Sequence, residues 1–237
     1  MGVIDFIGRH MTDIRKLTLL FKNPISEFEL PFFRGAVIHA MNNPNILFHN
    51  HLNENYRYAY PLIQYKRIHG NAAIVCVNEG ADAVGELLSQ CDFDFKIGNR
   101  QVKMEIESVK AHKCRIQLWN TTFNYRLHRW MPLNSRNYQA YAALESLAEK
   151  AAFLEKTLVG NVLSMAKGLG LFFDKPVVCK IQSISEPYLI PYKGIKMEVF
   201  NIHFSSNVSL PQYAGLGKHA SLGAGTITKI VNIQEND

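Results

Sequence analysis

His49-Asn50-His51 is followed closely by Tyr56, Tyr58 and Tyr60. In an extended backbone, side chains two apart share a face, so both imidazoles can reach one bound group. Histidine titrates near neutral pH, which lets one ring accept a proton while the other gives one. Proton transfer at a phosphate suits such a pair; H-x-H also suits zinc, with Glu54 the one carboxylate close by. A second stretch with chemical content is Pro211-Gln212-Tyr213-Ala214-Gly215-Leu216-Gly217-Lys218-His219-Ala220-Ser221-Leu222-Gly223-Ala224-Gly225. Glycine lets a backbone approach a phosphate closely and turn several N–H groups toward it. The stretch is not a Walker loop, because Gln212 stands where the first glycine belongs and His219 where Ser or Thr belongs. Nor is it a dinucleotide fingerprint, since Ala220 breaks the spacing and the short tail cannot supply a βαβ unit. It holds two G-h-G triplets separated by five residues, just before a final strand.

Charge points to the kind of partner. The chain carries a formal net charge of +6, and its middle holds Arg100, Lys103, Lys110, Lys113, Arg115, Arg126, Arg129 and Arg136 against only Glu105 and Glu107. A local excess of this kind is the footprint of a polyanion partner, nucleic acid first. Arg126, Arg129 and Arg136 can track a phosphate backbone, with Tyr125, Trp130 and Tyr138 placed to stack on bases. The four cysteines, Cys76, Cys91, Cys114 and Cys179, are scattered without a C-x-x-C pair and read as reduced thiols of a cytoplasmic protein. Neither a signal peptide nor a run of about 18 apolar residues is present, so no membrane role is expected.

The elements that must position these groups follow from periodicity. Residues 16–21 read as a strand, and a helix with Pro31 in its first turn carries Phe33, Val37 and Met41 at helical spacing. The histidines come after Asn42-Asn43-Pro44-Asn45, between helix and strand. Strands at 59–67 and 72–77 form a hairpin with Gly70-Asn71 as its turn, a short helix spans 79–90, and strands are expected at 92–97, 102–110 and 115–119. That β-α-β-β-α-β order is the ferredoxin-like arrangement also used by RNA-recognition motifs. Residues 120–137 turn polar, aromatic and basic and read as a junction. One long helix over 138–169 then carries Leu144, Leu147, Ala151, Leu154, Leu158, Val162, Met165 and Leu169, and strands follow at 177–185, 195–204 and 226–233. The fold class is therefore α+β, a tandem of ferredoxin-like (RRM-like) domains: 1–119 carrying the histidines, the junction 120–137, and a modified unit 138–237 with the long helix and the glycine-rich loop.

In this combination the sequence resembles the CRISPR-associated endoribonucleases of the repeat-associated mysterious protein superfamily. The subtype I-B branch is the nearest resemblance, carried by His49-x-His51 with Tyr58 seven residues later, Tyr60-Pro61-Leu62-Ile63-Gln64-Tyr65-Lys66, Leu158-Val159-Gly160-Asn161-Val162-Leu163-Ser164 and the glycine-rich loop. The resemblance implies metal-independent cleavage of CRISPR repeat RNA in a precursor transcript, without a cofactor, through attack of the ribose 2′-OH to leave a 2′,3′-cyclic phosphate and a 5′-OH. It implies His49 and His51 as the proton-transfer pair and Tyr58 as a donor to the phosphate or leaving group. Other members place a lysine near this site, for which Lys66, at a different offset, is the nearest candidate; Lys218 and His219 are expected to neutralise phosphate and Gly215, Gly217, Gly223 and Gly225 to hold the RNA, beside Arg126, Arg129 and Arg136 of the basic stretch. Delivery of the product to an effector (Cascade-like) complex fits the resemblance, and the sequence leaves a homodimer open. Two other readings compete: a non-catalytic protein that binds repeat RNA and hands it on, and a metal-dependent hydrolase with the histidines as ligands.

Overall fold

In the computed structural model, which describes residues 13–41, 45–48, 51–52, 55–56, 60–192 and 194–230, the chain begins with strand β1 (Asp13–Pro24). Its side chains alternate, Leu19 and Phe21 to one face and Lys16 and Leu20 to the other, as the period of a strand requires. Helix α1 (Leu30–His39) has Pro31 in its first turn and buries Leu30, Phe33 and Val37. Two short strands, β2 (His51–Leu52) and β3 (Asn55–Tyr56), pair with one another, and β4 (Ile63–Ile68) pairs with β5 (Asn71–Val77). The turn between β4 and β5 is His69-Gly70, both at positive φ (50° and 92°), one residue earlier than expected; Asn71 already pairs with Ile68. Helix α2 (Glu79–Gln90), the hairpin β6 (Asp94–Ile97) and β7 (Arg100–Lys103), and strand β8 (Ile106–Arg115) complete the first unit. Its sheet order, β4-β5-β1-β8, is that of a ferredoxin-like fold. Leu19, Phe21, Phe33, Tyr65, Ile74 and Leu87 form the core between sheet and helices.

The second unit starts at once with β9 (Leu118–Trp130), so the stretch expected to be a junction is largely a strand paired on both sides. Its mixed composition has a simple origin: Tyr125, Leu127 and Trp130 face the core, while Arg126 lies on the solvent side. The single helix expected over 138–169 is two: α3 (Tyr138–Ala142) and α4 (Leu147–Gly168). The break falls where Ser146 accepts the amide of Glu149 and the Glu149 carboxylate reaches back to Ser146, a capping box that starts a new helix. Leu147 is consequently 86% exposed, and the buried stripe is Leu154, Leu158, Val162 and Met165. Strands β10 (Cys179–Ile184), β11 (Tyr188–Tyr192), β12 (Ile195–Val208) and β13 (Thr226–Lys229) follow. The order β10-β12-β9-β13 repeats that of the first sheet, with β11 added beside β12. Helix α4 covers one face of this sheet, and the glycine-rich segment stands between β12 and β13, where a ferredoxin-like unit would carry its second helix. Among the described residues no helix is long and apolar enough to cross a membrane, and the four cysteines are free thiols.

Candidate functional site

Strand β4 is an edge of the first sheet, and an edge exposes unpaired backbone groups unless something covers it. Here the glycine-rich segment does so. The Tyr65 amide donates to the Ser221 carbonyl (2.8 Å), and Tyr65 and Leu222 form a parallel bridge. Side chains of β4 add to this: the Gln64 amide oxygen accepts from the Gly215 N–H (2.9 Å), and the Lys66 ammonium donates to the Ala220 carbonyl (2.9 Å) and the Thr226 hydroxyl (3.2 Å). Two glycines are sterically required. A Cβ on Gly215 would come within 2.8 Å of the Lys66 nitrogen, and one on Gly225, at φ +57°, within 1.9 Å of the Leu216 carbonyl. Gly217 and Gly223 also have positive φ, and Gly223 packs on Leu30 of the first unit.

The histidine segment enters and leaves beside this assembly. Just before it a 3-10 turn, Ile46–Phe48, buries Phe48, whose carbonyl accepts from the Tyr65 hydroxyl (3.3 Å). Just after it the Tyr60 hydroxyl donates to the Gly215 carbonyl (3.0 Å), and burial pushes that phenol up to about 12. Gly168 of α4 lets Tyr60 come close, since a Cβ there would lie 2.3 Å from the Tyr60 Cβ. The segment is thus fastened at one end to β4 and at the other to the glycine-rich loop and α4. His51 begins β2 and pairs through its backbone with Tyr56. His49 and Tyr58 lie outside the described residues.

The remaining expected contacts divide. Lys218 is exposed on the loop, and His219, partly buried at φ +55°, offers its carbonyl to the Leu222 and Ala224 amides. Arg126 is exposed on β9 and donates to a ring nitrogen of His203 (2.8 Å), and Arg136 is exposed in the turn after β9. Two basic residues do not lie on a surface open to RNA. Lys66 is 0% exposed, enclosed by the glycine-rich loop. The Arg129 side chain is 12% exposed and forms an ion pair with Glu27 of the first unit (2.9 Å), so it joins the units. The stacking roles given to Tyr125 and Trp130 fail for the same reason, because both rings are in the core. The Tyr125 hydroxyl donates to the Val208 carbonyl (3.0 Å) and the Trp130 indole to the Asn161 side chain (2.8 Å). Tyr138 remains exposed.

Sequence reasoning missed a basic groove of about 430 Å³ on the sheet face that α4 leaves uncovered, lined by His69, Arg126, His128, Tyr213, Thr228 and Lys229. Burial first, then Arg126 and His203, hold the His128 imidazole below its usual range. The available signal was Arg126-x-His128, side chains two apart on one strand, the same spacing that singled out His49-x-His51.

Two ferredoxin-like units, the second with a glycine-rich loop in place of a helix, define a tandem ferredoxin-like fold. Two family models cover nearly all of the described chain: the Cas6b N-terminal domain matches residues 12–115 and the Cas6b C-terminal domain residues 117–230. The chain belongs to the Cas6b family. A crystal structure of Cas6b superposes with a TM-score of 0.83 at 25% identity, covering 92% of this chain and 100% of that one. The crystal structure of a CRISPR RNA processing endoribonuclease Cas6b superposes with a TM-score of 0.69 at 24% identity over the same shares, a likeness of fold. An uncharacterized protein of Methanocaldococcus jannaschii is 35% identical over 101 residues, 43% of this chain and 67% of its own length.

Proposed function

We propose that this protein is a CRISPR repeat endoribonuclease that cuts precursor transcripts into guide RNAs without a metal. The ribose 2′-OH beside the scissile phosphate attacks in line, the phosphorus–O5′ bond breaks, and the products carry a 2′,3′-cyclic phosphate and a 5′-OH. One imidazole of the His49/His51 pair takes the 2′-OH proton while the other protonates the departing 5′ oxygen. Tyr58 donates a hydrogen bond to the phosphate, a role that needs no ionisation. Lys218 and the loop backbone hold the strand by its phosphates. The product then passes to an effector complex.

The observation that supports this reading most is the fastening of the histidine segment to the glycine-rich loop through Tyr60 and Gly215. That bond joins a residue at the end of the stretch suited to proton transfer to a loop suited to phosphates, in a Cas6b chain. In excess EDTA the purified protein is expected to cut its host's repeat RNA at one position. His49→Ala with His51→Ala is expected to slow that cut by about 10³-fold or more, the scale of losing an acid and a base together. Cleavage that returns only when metal is restored would instead make the histidines ligands.

A further inference from the structure

Lys66 is a cation placed where cations rarely persist. Its side chain is wholly enclosed, and among the described residues no carboxylate forms an ion pair with it. Its hydrogen bonds go to one carbonyl and one hydroxyl, acceptors that leave the charge uncompensated. An enclosed ammonium without a counter-ion costs several kcal/mol, so it persists only where an anion comes within reach and otherwise gives up its proton. The geometry says where. The Ala220 carbonyl points at the Lys66 nitrogen, and the peptide that carries it is trans and planar, so the Ser221 N–H of that same peptide points the opposite way, away from Lys66. Among the described residues that N–H donates to no protein acceptor. An ammonium bound to one end of a peptide polarises the other end, strengthening the outward N–H as a donor. Exposed Lys218 lies on the same turn.

We propose that Lys66 is the hidden cation of a phosphate site on the outer side of the 217–221 turn, acting through the Ala220–Ser221 peptide, and that the phosphate it serves belongs to the RNA strand. This rests on the proposed function and assigns Lys66 as a positioning residue. Burial alone lowers the ammonium to about 7, with no contribution from any neighbouring charge. The titratable and charged groups on the elements around it are Tyr60 just before β4, Tyr65 and Arg67 on β4, Lys218 and His219 on the loop, and His128 and Arg129 on β9, next to β13. An anion on the far side of the peptide favours the charged form, so RNA binding and protonation of Lys66 are linked: binding takes up a proton when the pH is above the ammonium's free value.

The test is calorimetric titration of repeat RNA into the His49→Ala, His51→Ala protein at pH 8, in two buffers of different ionisation enthalpy. The double variant neither cuts the RNA nor lets those imidazoles contribute. Uptake of about half a proton or more per RNA is expected, together with loss of that uptake and about tenfold weaker binding when Lys66→Met is added. Lys66→Gln, which keeps a donor for the Ala220 carbonyl but no charge, is expected to behave like Lys66→Met. If Lys66→Met does not fold by circular dichroism, Lys66→Gln carries the comparison. Uptake that survives both Lys66 variants, or that disappears with His219→Asn instead, overturns the proposal, as does full recovery of binding in Lys66→Gln. RNA binding without uptake overturns this inference alone. If wild-type protein neither binds nor cuts the RNA, the proposed function falls first and this inference with it.

Discussion

Lys66 makes a second, RNA-independent statement about the free protein. A buried lysine lowered to about 7 from a reference of about 10.4 binds fewer protons folded than unfolded between those two values. Stability therefore rises with pH across that window, and the penalty is fully present below about pH 7. Lys66→Met removes the titration, so relative to wild type the variant is expected to gain roughly 3 kcal/mol of unfolding free energy between pH 9 and pH 6. Equilibrium urea unfolding of both proteins at the two pH values reads this directly, and a difference independent of pH would show that Lys66 is not enclosed as a titrating amine. This residue also marks the limit of sequence reading. Lys66 stands in a strand that reads Ile63-Gln64-Tyr65-Lys66-Arg67, where alternation alone cannot say that the face carrying Gln64 and Lys66 is covered by a loop from the other end of the chain.

At the level of elements, strands with clear alternation and helices with an apolar stripe were legible, and so was the β-α-β-β-α-β order of the first unit. What escaped had local physical causes. Strand β11 contains Pro191, which lowers its strand signal but is tolerated because, among the described strands, β11 pairs with β12 on one side alone. The break before α4 was written in Ser146-x-x-Glu149 but hidden by leucines that continue the spacing across it. Helix α4 itself offers a paired test of how the histidine segment is held. Gly160 has open space around its missing Cβ, so Gly160→Ala is expected to stabilise the protein by about 1 kcal/mol through helix propensity. Gly168 touches Tyr60, so Gly168→Ala is expected to cost about 2 kcal/mol or more and to slow RNA cleavage as Tyr60 is pushed from Gly215. Urea midpoints for the two variants, with cleavage assays beside them, check both signs. Equal effects at the two positions would contradict the role given to Tyr60.

On the scale of the whole molecule, the two units are joined by one apolar cluster that draws on both and by polar contacts between them. Ile14, Leu62 and Val77 from the first pack with Leu158, Phe204 and Ile227 from the second, Lys16 donates to the Gln212 carbonyl (2.7 Å), and Glu27 pairs with Arg129. The Arg129 carbonyl in turn accepts from the Gly225 N–H (3.0 Å), tying β9 to the loop that covers β4. Under the proposed function, a substrate spanning the loop and the histidine segment would touch both units, and its chemistry would depend on their being held together. Tandem order could be read from the sequence, whereas these cross-unit contacts join residues more than a hundred positions apart and leave no local pattern. The most direct measurement of the proposed chemistry uses the substrate rather than the protein. Repeat RNA carrying a single 2′-deoxy ribose immediately 5′ of the cut phosphate is incubated with wild-type protein in EDTA beside the all-ribose strand. The proposed chemistry requires that the all-ribose RNA is cut to a 2′,3′-cyclic phosphate and a 5′-OH while the deoxy strand binds equally well and stays whole. Cleavage of the deoxy strand at the same position would contradict it, because the attacking oxygen would then have to come from water.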